Sequence, residues 1–300
     1  MQYTTVESSF LPTSKNLNDQ TNISKIIYFM HMHNSGGTTM CNIANKQKSL
    51  NPSKRNCNVF LKLKFNDANF GHAIPCCGDT IAEQANYAKT STHKFIANEM
   101  YLPNELDYSN YDYITVLRDP WQRYLSHFAH DFPKQEKNFK SLTRYNKKSQ
   151  DSIHKIFGDG DSLANDKFSV FLAKNYSQWV NSQRDNYYTR KLCGKNCMNV
   201  PRGKLNSTHL EKAKTRLNHF GAVLILENLS ESLKIMEDKF GWRIPNKYSL
   251  DKYESNTNNE KVNHKPREGL PGMEIDKIQE LTSFDDELYA LAIYLNKNSC

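Results

Sequence analysis

Residues 26–44 read IIYFMHMHNSGGTTMCNIA. The opening apolar run has the pattern of a strand buried on both faces, and the reading places that strand over 25–33. The chain then turns at Ser35-Gly36-Gly37 and enters a helix with Met40, Ile43 and Ala44 on one face. In an open parallel sheet, ligands sit beyond the carboxyl ends of the strands. A helix starting at Gly37-Thr38 aims its N–H groups and positive dipole end into that crevice, which suits a phosphate. Gly36 and Gly37 let the backbone come close, and Thr38 and Thr39 add hydroxyl donors. A plain connecting turn would use the same residues, and the Walker pattern GxxxxGK[ST] is absent. Both readings stay open on this stretch alone.

Outward from it, residues 1–24 read as a polar N-terminal tail and 25–300 as a single domain. The stretch 49–92 is basic and turn-rich and yields no clear element. KFIANEMYL (94–102) reads as a strand, as does YITVL (113–117), after which Asp119-Pro120 starts a helix as N-cap and first-turn residue. Helical patterns cover 149–157 and 163–180, and HLEKAKTRLNHF (209–220) is amphipathic. GAVLILENL is a further buried strand, SESLKIMEDKFGW a helix. The last helix carries Ile275, Ile278, Leu281, Phe284, Leu288, Leu291 and Leu295 at spacings of three and four. Strands alternating with helices imply an α/β fold with a mainly parallel sheet covered on both faces.

The second chemical motif is YDYITVLRDPWQRYLSHF (111–128). Arg118 stands at a strand end and Ser126 about two helical turns further on. A guanidinium that can bind bidentately and a hydroxyl suit a second phosphate, separate from the first. Arg118 could equally pair with Asp119 or a helix end. Taken together, the two motifs describe a nucleotide with phosphates at both ends.

These two motifs resemble the 5′-phosphosulfate loop and the 3′-phosphate motif of the sulfotransferases. The pattern is most similar to the Golgi carbohydrate sulfotransferases of the heparan sulfate 6-O type, with a comparable GGTT loop and LRDP-x-x-RYLS run. Fainter likeness runs through NYYTRKLCG (186–194), 209–233 and ELYALAIYLN near the end. The resemblance implies a P-loop-like three-layer fold with helices flanking the sheet. It also implies 3′-phosphoadenosine 5′-phosphosulfate (PAPS) as donor, no metal, and in-line transfer of the sulfuryl group to a hydroxyl of a carbohydrate (glycan) acceptor. Asn34, Ser35, Gly36, Gly37, Thr38 and Thr39 would hold the 5′-phosphosulfate, and Arg118 and Ser126 the 3′-phosphate. Arg123 would support the second site, and Arg190 would reach the nucleotide or the acceptor.

Asn34 departs from the family pattern, which has a lysine there to neutralise charge on the bridging oxygen. An amide brings no charge, and charge-assisted bonds are about twice as strong as neutral ones. Either another cation substitutes, with Lys25 and Lys46 nearby in sequence, or the enzyme is slow, or the chain binds donor without catalysis. For the base, His72 in NFGHAIP is the first choice and His93, before the strand leading to Glu99, the second. His31 and His33 alternate and could project into one crevice. A zinc site of His31, His33, His127 and His130 has no supporting carboxylate or Cys spacing. Trp121, Tyr124 and Phe128 follow helical spacing and read as core.

The formal net charge of +8 favours anionic partners and agrees with an anionic glycan, while no basic arm or recognition helix points to nucleic acid. No apolar run approaches the ~20 residues needed to span a bilayer, and the N-terminus has no signal-peptide pattern. The resemblance therefore implies the Golgi lumen if an N-terminal anchor is missing, and the cytoplasm otherwise. Of seven cysteines, Cys193 and Cys197 could close a small disulfide loop. The rival activity is phosphoryl transfer by a nucleotide kinase on a related fold; the rival of another class is a catalytically impaired nucleotide- or glycan-binding protein.

Overall fold

The structure, a computed structural model, describes residues 25–53, 57–59, 77–124, 126–127, 180–248 and 275–299. The polar tail, the helical patterns at 149–157 and 163–179, and His72 lie outside the described residues.

Four strands form one sheet in the order β2-β1-β3-β4, with every pairing parallel. They are β1 (Ile26–Met30), β2 (Phe95–Asn98), β3 (Tyr111–Leu117) and β4 (Ala222–Ile225). β1, β2 and β4 are shorter than their apolar patterns suggest, whereas β3 starts two residues before YITVL. β1 stops before His31, and β2 ends at Asn98 rather than reaching 102, so His31, His33 and Glu99 stand just beyond the paired strands. Three strands are buried at every residue and β3 at all but one, as parallel strands covered on both faces require.

Alternate residues of β1 feed two cores. Ile26, Tyr28 and Met30 pack with Leu192, Leu210, Leu217 and Leu288, from helices Tyr187–Cys193, Ser207–Asn218 and Ile275–Lys297. Ile27 and Phe29 pack with Met40 and Ile43 of α1 (Gly37–Ala44), and with Leu233 and Met236 of helix Leu229–Phe240. The result is the three-layer α/β fold implied by the motifs. Within 49–92 the sequence yielded no element, but the structure has a helix, α2 (Ile81–Thr90). Thr80 and Glu83 close a capping box at its start.

Because β1 has β2 on one side and β3 on the other, the strand order reverses between β1 and β3. That switch point opens a crevice at the carboxyl ends of the strands, where doubly wound sheets take ligands.

Candidate functional site

The loop leaving β1 crosses the switch point with two left-handed residues, Asn34 at φ 59° and Gly36 at φ 81°. Asn tolerates this region better than most residues, and Gly occupies it freely. Such alternation turns successive backbone N–H groups toward one concavity. The first bond of α1 runs from Met40 N–H to the Gly36 carbonyl, so the N–H groups of Gly37, Thr38 and Thr39 precede it at the crevice. Gly37 is required by close approach. A Cβ there would lie 1.6 Å from Nε2 of His31.

Arg118 follows β3 on the other side of the switch point, its side chain 24% exposed. Its Nη1 donates to the Asn34 carbonyl at 3.4 Å, and Nε lies 3.9 Å from Oε1 of Glu227. Glu227, just past β4, also accepts the Asp119 N–H (2.9 Å) and the Tyr289 hydroxyl (2.8 Å). Asp119 in turn caps its helix by accepting Gln122 N–H at 2.9 Å. Tyr188 ties the two motifs together: its hydroxyl donates to the Arg118 carbonyl (2.8 Å), accepts Arg118 N–H (3.2 Å) and lies 3.2 Å from Ser35 Oγ. Tyr188 is itself anchored by its backbone N–H, which donates to Asp285, as does that of Thr189, each at 2.9 Å. Burial pushes Asp285 up to about 6, against those two N–H groups, which favour its ionised form.

Two sets of buried donors among these residues have no partner among the described residues: Nδ2 of Asn34, and Nε and Nη1 of Arg123. Arg123 is 1% exposed, with its guanidinium carbon 4.1 Å from the centre of the Tyr187 ring and 4.5 Å from that of Tyr124. Buried polar groups are nearly always bonded, so unpartnered donors beside the switch point fit an anionic ligand.

On the opposite wall, Glu99 stands between two histidines. Its Oε1 lies 2.8 Å from Nδ1 of His31 and its Oε2 lies 3.2 Å from Nε2 of His33. Asn58 Nδ2 donates to Oε1 at 2.9 Å. The His31 and His33 rings hold the Glu99 carboxyl well below the usual range, with burial opposing them and Asn58 assisting.

The structure thus brings the 34–39 loop and Arg118 together at the switch point, with Arg123 buried among Tyr124, Tyr187 and Tyr188 and Ser126 half-buried on the helix after Arg118. Ser35 is used internally, 1% exposed and held against Tyr188 and the His33 carbonyl. Arg190 does not extend toward the crevice. Its guanidinium bonds the Asp185 carboxylate and carbonyl and the carbonyls of Cys197, Val200 and Pro201, which spends its donors on the 185–201 segment. His93 precedes β2 and so lies at the amino end of the sheet, its Nδ1 2.6 Å from the Asn51 carbonyl. Lys25 pairs with Asp112 at that same far end, and Lys46 follows the far terminus of α1. The cation that meets position 34 is Arg118. Tyr188, Glu227 and the role of Glu99 escaped the sequence reading, because each acts through partners more than 60 residues away. Among the described residues, no group of three or more His, Cys, Asp or Glu is arranged to hold a metal ion. Cys193 pairs with Cys197, and Cys41 with Cys57.

The family model described as "Sulfotransferase family" matches residues 22–292 of the chain. No curated protein matches it.

Proposed function

The chain belongs to the sulfotransferase family, and from that premise we propose that it moves the sulfuryl group of PAPS to a hydroxyl of a carbohydrate acceptor. The observation that carries this reading is the contact between its two phosphate motifs, Arg118 Nη1 to the Asn34 carbonyl at 3.4 Å. Residues 84 apart in sequence meet at the switch point, where doubly wound sheets take ligands.

The 5′-phosphosulfate lies on the Gly37, Thr38 and Thr39 N–H groups and the Asn34 amide, and the 3′-phosphate on Arg118 and Ser126, with Arg123 behind. The donor supplies an activated sulfuryl group; the residues orient it and stabilise charge, the main requirement of in-line transfer. The net charge of +8 agrees with an anionic glycan. The GGTT loop and the LRDP-x-x-RYLS run favour a heparan sulfate 6-O-type enzyme. Two disulfides among the described residues agree with an oxidising lumen such as the Golgi.

Calorimetric titration with 3′-phosphoadenosine 5′-phosphate, without magnesium, tests the donor site. The wild type should bind in the micromolar range. Arg118→Ala should weaken binding by about 2–3 kcal/mol, or 30- to 150-fold. Equal affinity for nucleotides with and without the 3′-phosphate would refute the assignment.

A further inference from the structure

His31, His33 and Glu99 come from two strand ends and have no part in the donor contacts described above. His33 immediately precedes the phosphosulfate loop, its backbone N–H fixed by the Tyr187 hydroxyl at 3.0 Å. Its side chain is 46% exposed, with the His127 ring of the helix after Arg118 6.3 Å away, whereas that of His31 is 7% exposed. His31 is closed in by Glu99 on one nitrogen and by Gly37 on the other, and it stacks on Phe29 with ring centres 5.4 Å apart. No substrate reaches it.

We propose that His33 is the catalytic residue that takes the proton of the acceptor hydroxyl, with Glu99 as the positioning residue for its ring and His31 as the buried brace of Glu99. The proposal rests on the sulfuryl-transfer reading. Glu99 faces Nε2 of His33, and a carboxylate accepts, so the proton on that ring sits on Nε2. Nδ1 then carries the lone pair. Glu99 is itself a poor proton acceptor, since both its oxygens are engaged and its ionised form is strongly favoured. The other ring near His33 is His127, with centres 6.3 Å apart.

The step balances without any further reactant. The acceptor oxygen bonds to sulfur as its proton passes to Nδ1 of His33. The bond from sulfur to the bridging oxygen breaks, its electron pair leaving on the nucleotide 5′-phosphate. The imidazolium then loses its proton to water through its exposed edge.

The test combines kinetics with a ligand-free spectrum. Transfer from radiolabelled PAPS to chemically desulfated heparin is measured for wild type, His33→Ala and Glu99→Ala. His33→Ala should lose about 10²- to 10⁴-fold in kcat, regain part of it with added imidazole, and bind 3′-phosphoadenosine 5′-phosphate as the wild type does. Glu99→Ala should lower kcat with little change in KM for the polysaccharide. Long-range proton–nitrogen correlation spectra should show His33 as the Nε2–H tautomer in the wild type and as a mixture in Glu99→Ala. A wild-type kcat in His33→Ala, or an Nδ1–H tautomer in the wild type, would overturn the proposal while leaving the donor reading intact. Failure of the wild type to bind the nucleotide would remove the donor reading, and this proposal with it.

Discussion

Glu99 and Asp285 are carboxylates that the fold drives in opposite directions. Paired with two rings, Glu99 binds fewer protons folded than unfolded, so its stabilisation is complete above its ordinary value of 4.5 and is lost as pH falls through its folded value. Burial does the reverse to Asp285, which binds more protons folded; its contribution is greatest below 3.8 and declines as pH rises to about 6. Glu99→Gln should therefore lose less stability than the wild type on acidification below 4.5, as followed by thermal unfolding; identical slopes would remove the ion pairs from the account. Asn34 poses the other residue-scale problem. Its left-handed backbone at φ 59° favours Asn, so Asn34→Lys sacrifices about 1 kcal/mol of conformational preference to gain a cation. The substitution should raise transfer on the order of a hundredfold. An unchanged rate would assign the charge role to Arg118, which already reaches the position 34 carbonyl.

At the scale of elements, the β1–α1 junction tolerates no side chain. Gly37→Ala would drive a Cβ into His31, and since His31 is packed on Phe29 and Glu99 the loop must move instead. The expected outcome is loss of nucleotide binding measured by calorimetry, with a lowered unfolding midpoint; retained micromolar affinity would show the junction to be pliant. Periodicity made β1, β3, β4 and the last helix legible, because a strand buried on both faces and an amphipathic helix write their burial into local sequence. Helix α2 was missed: its weak apolar pattern hid it, although the Thr80–Glu83 capping box marks its start. The strand ends were not legible. IIYFMHMH continues as apolar-polar alternation, yet pairing stops at Met30, and only the partner strand decides that. The same limit hid Arg190, whose YYTRKL context is silent about the carbonyls that surround it. It hid the Glu99 cluster as well, which exists only once β1 and β2 lie side by side.

On the scale of the whole molecule, the disulfide Cys41–Cys57 joins the middle of α1 to the segment bridged to β2 at Ala97. Closing a loop with a sequence separation of 16 constrains the unfolded chain by about 3 kcal/mol. Cys41→Ser with Cys57→Ser should lose about that much in denaturant unfolding, and non-reducing peptide mapping should recover the linked pair; free thiols at both positions would dismiss it. The crevice itself depends on distant chain. Asp285 holds the helix that carries Tyr188, and Tyr289 holds the glutamate between Arg118 and Asp119. Both lie on Ile275–Lys297, while the β1–α1 loop is near residue 35. During synthesis from the N-terminus, the loop therefore waits for its last supports until residues 285 and 289 have been made. A ribosome that stalls before residue 285 releases a product whose sheet can begin to pair but whose β1–α1 loop lacks its latch. Partial chains would thus carry the loop without its supports, and folding order would keep the crevice unfinished until the last helix arrives.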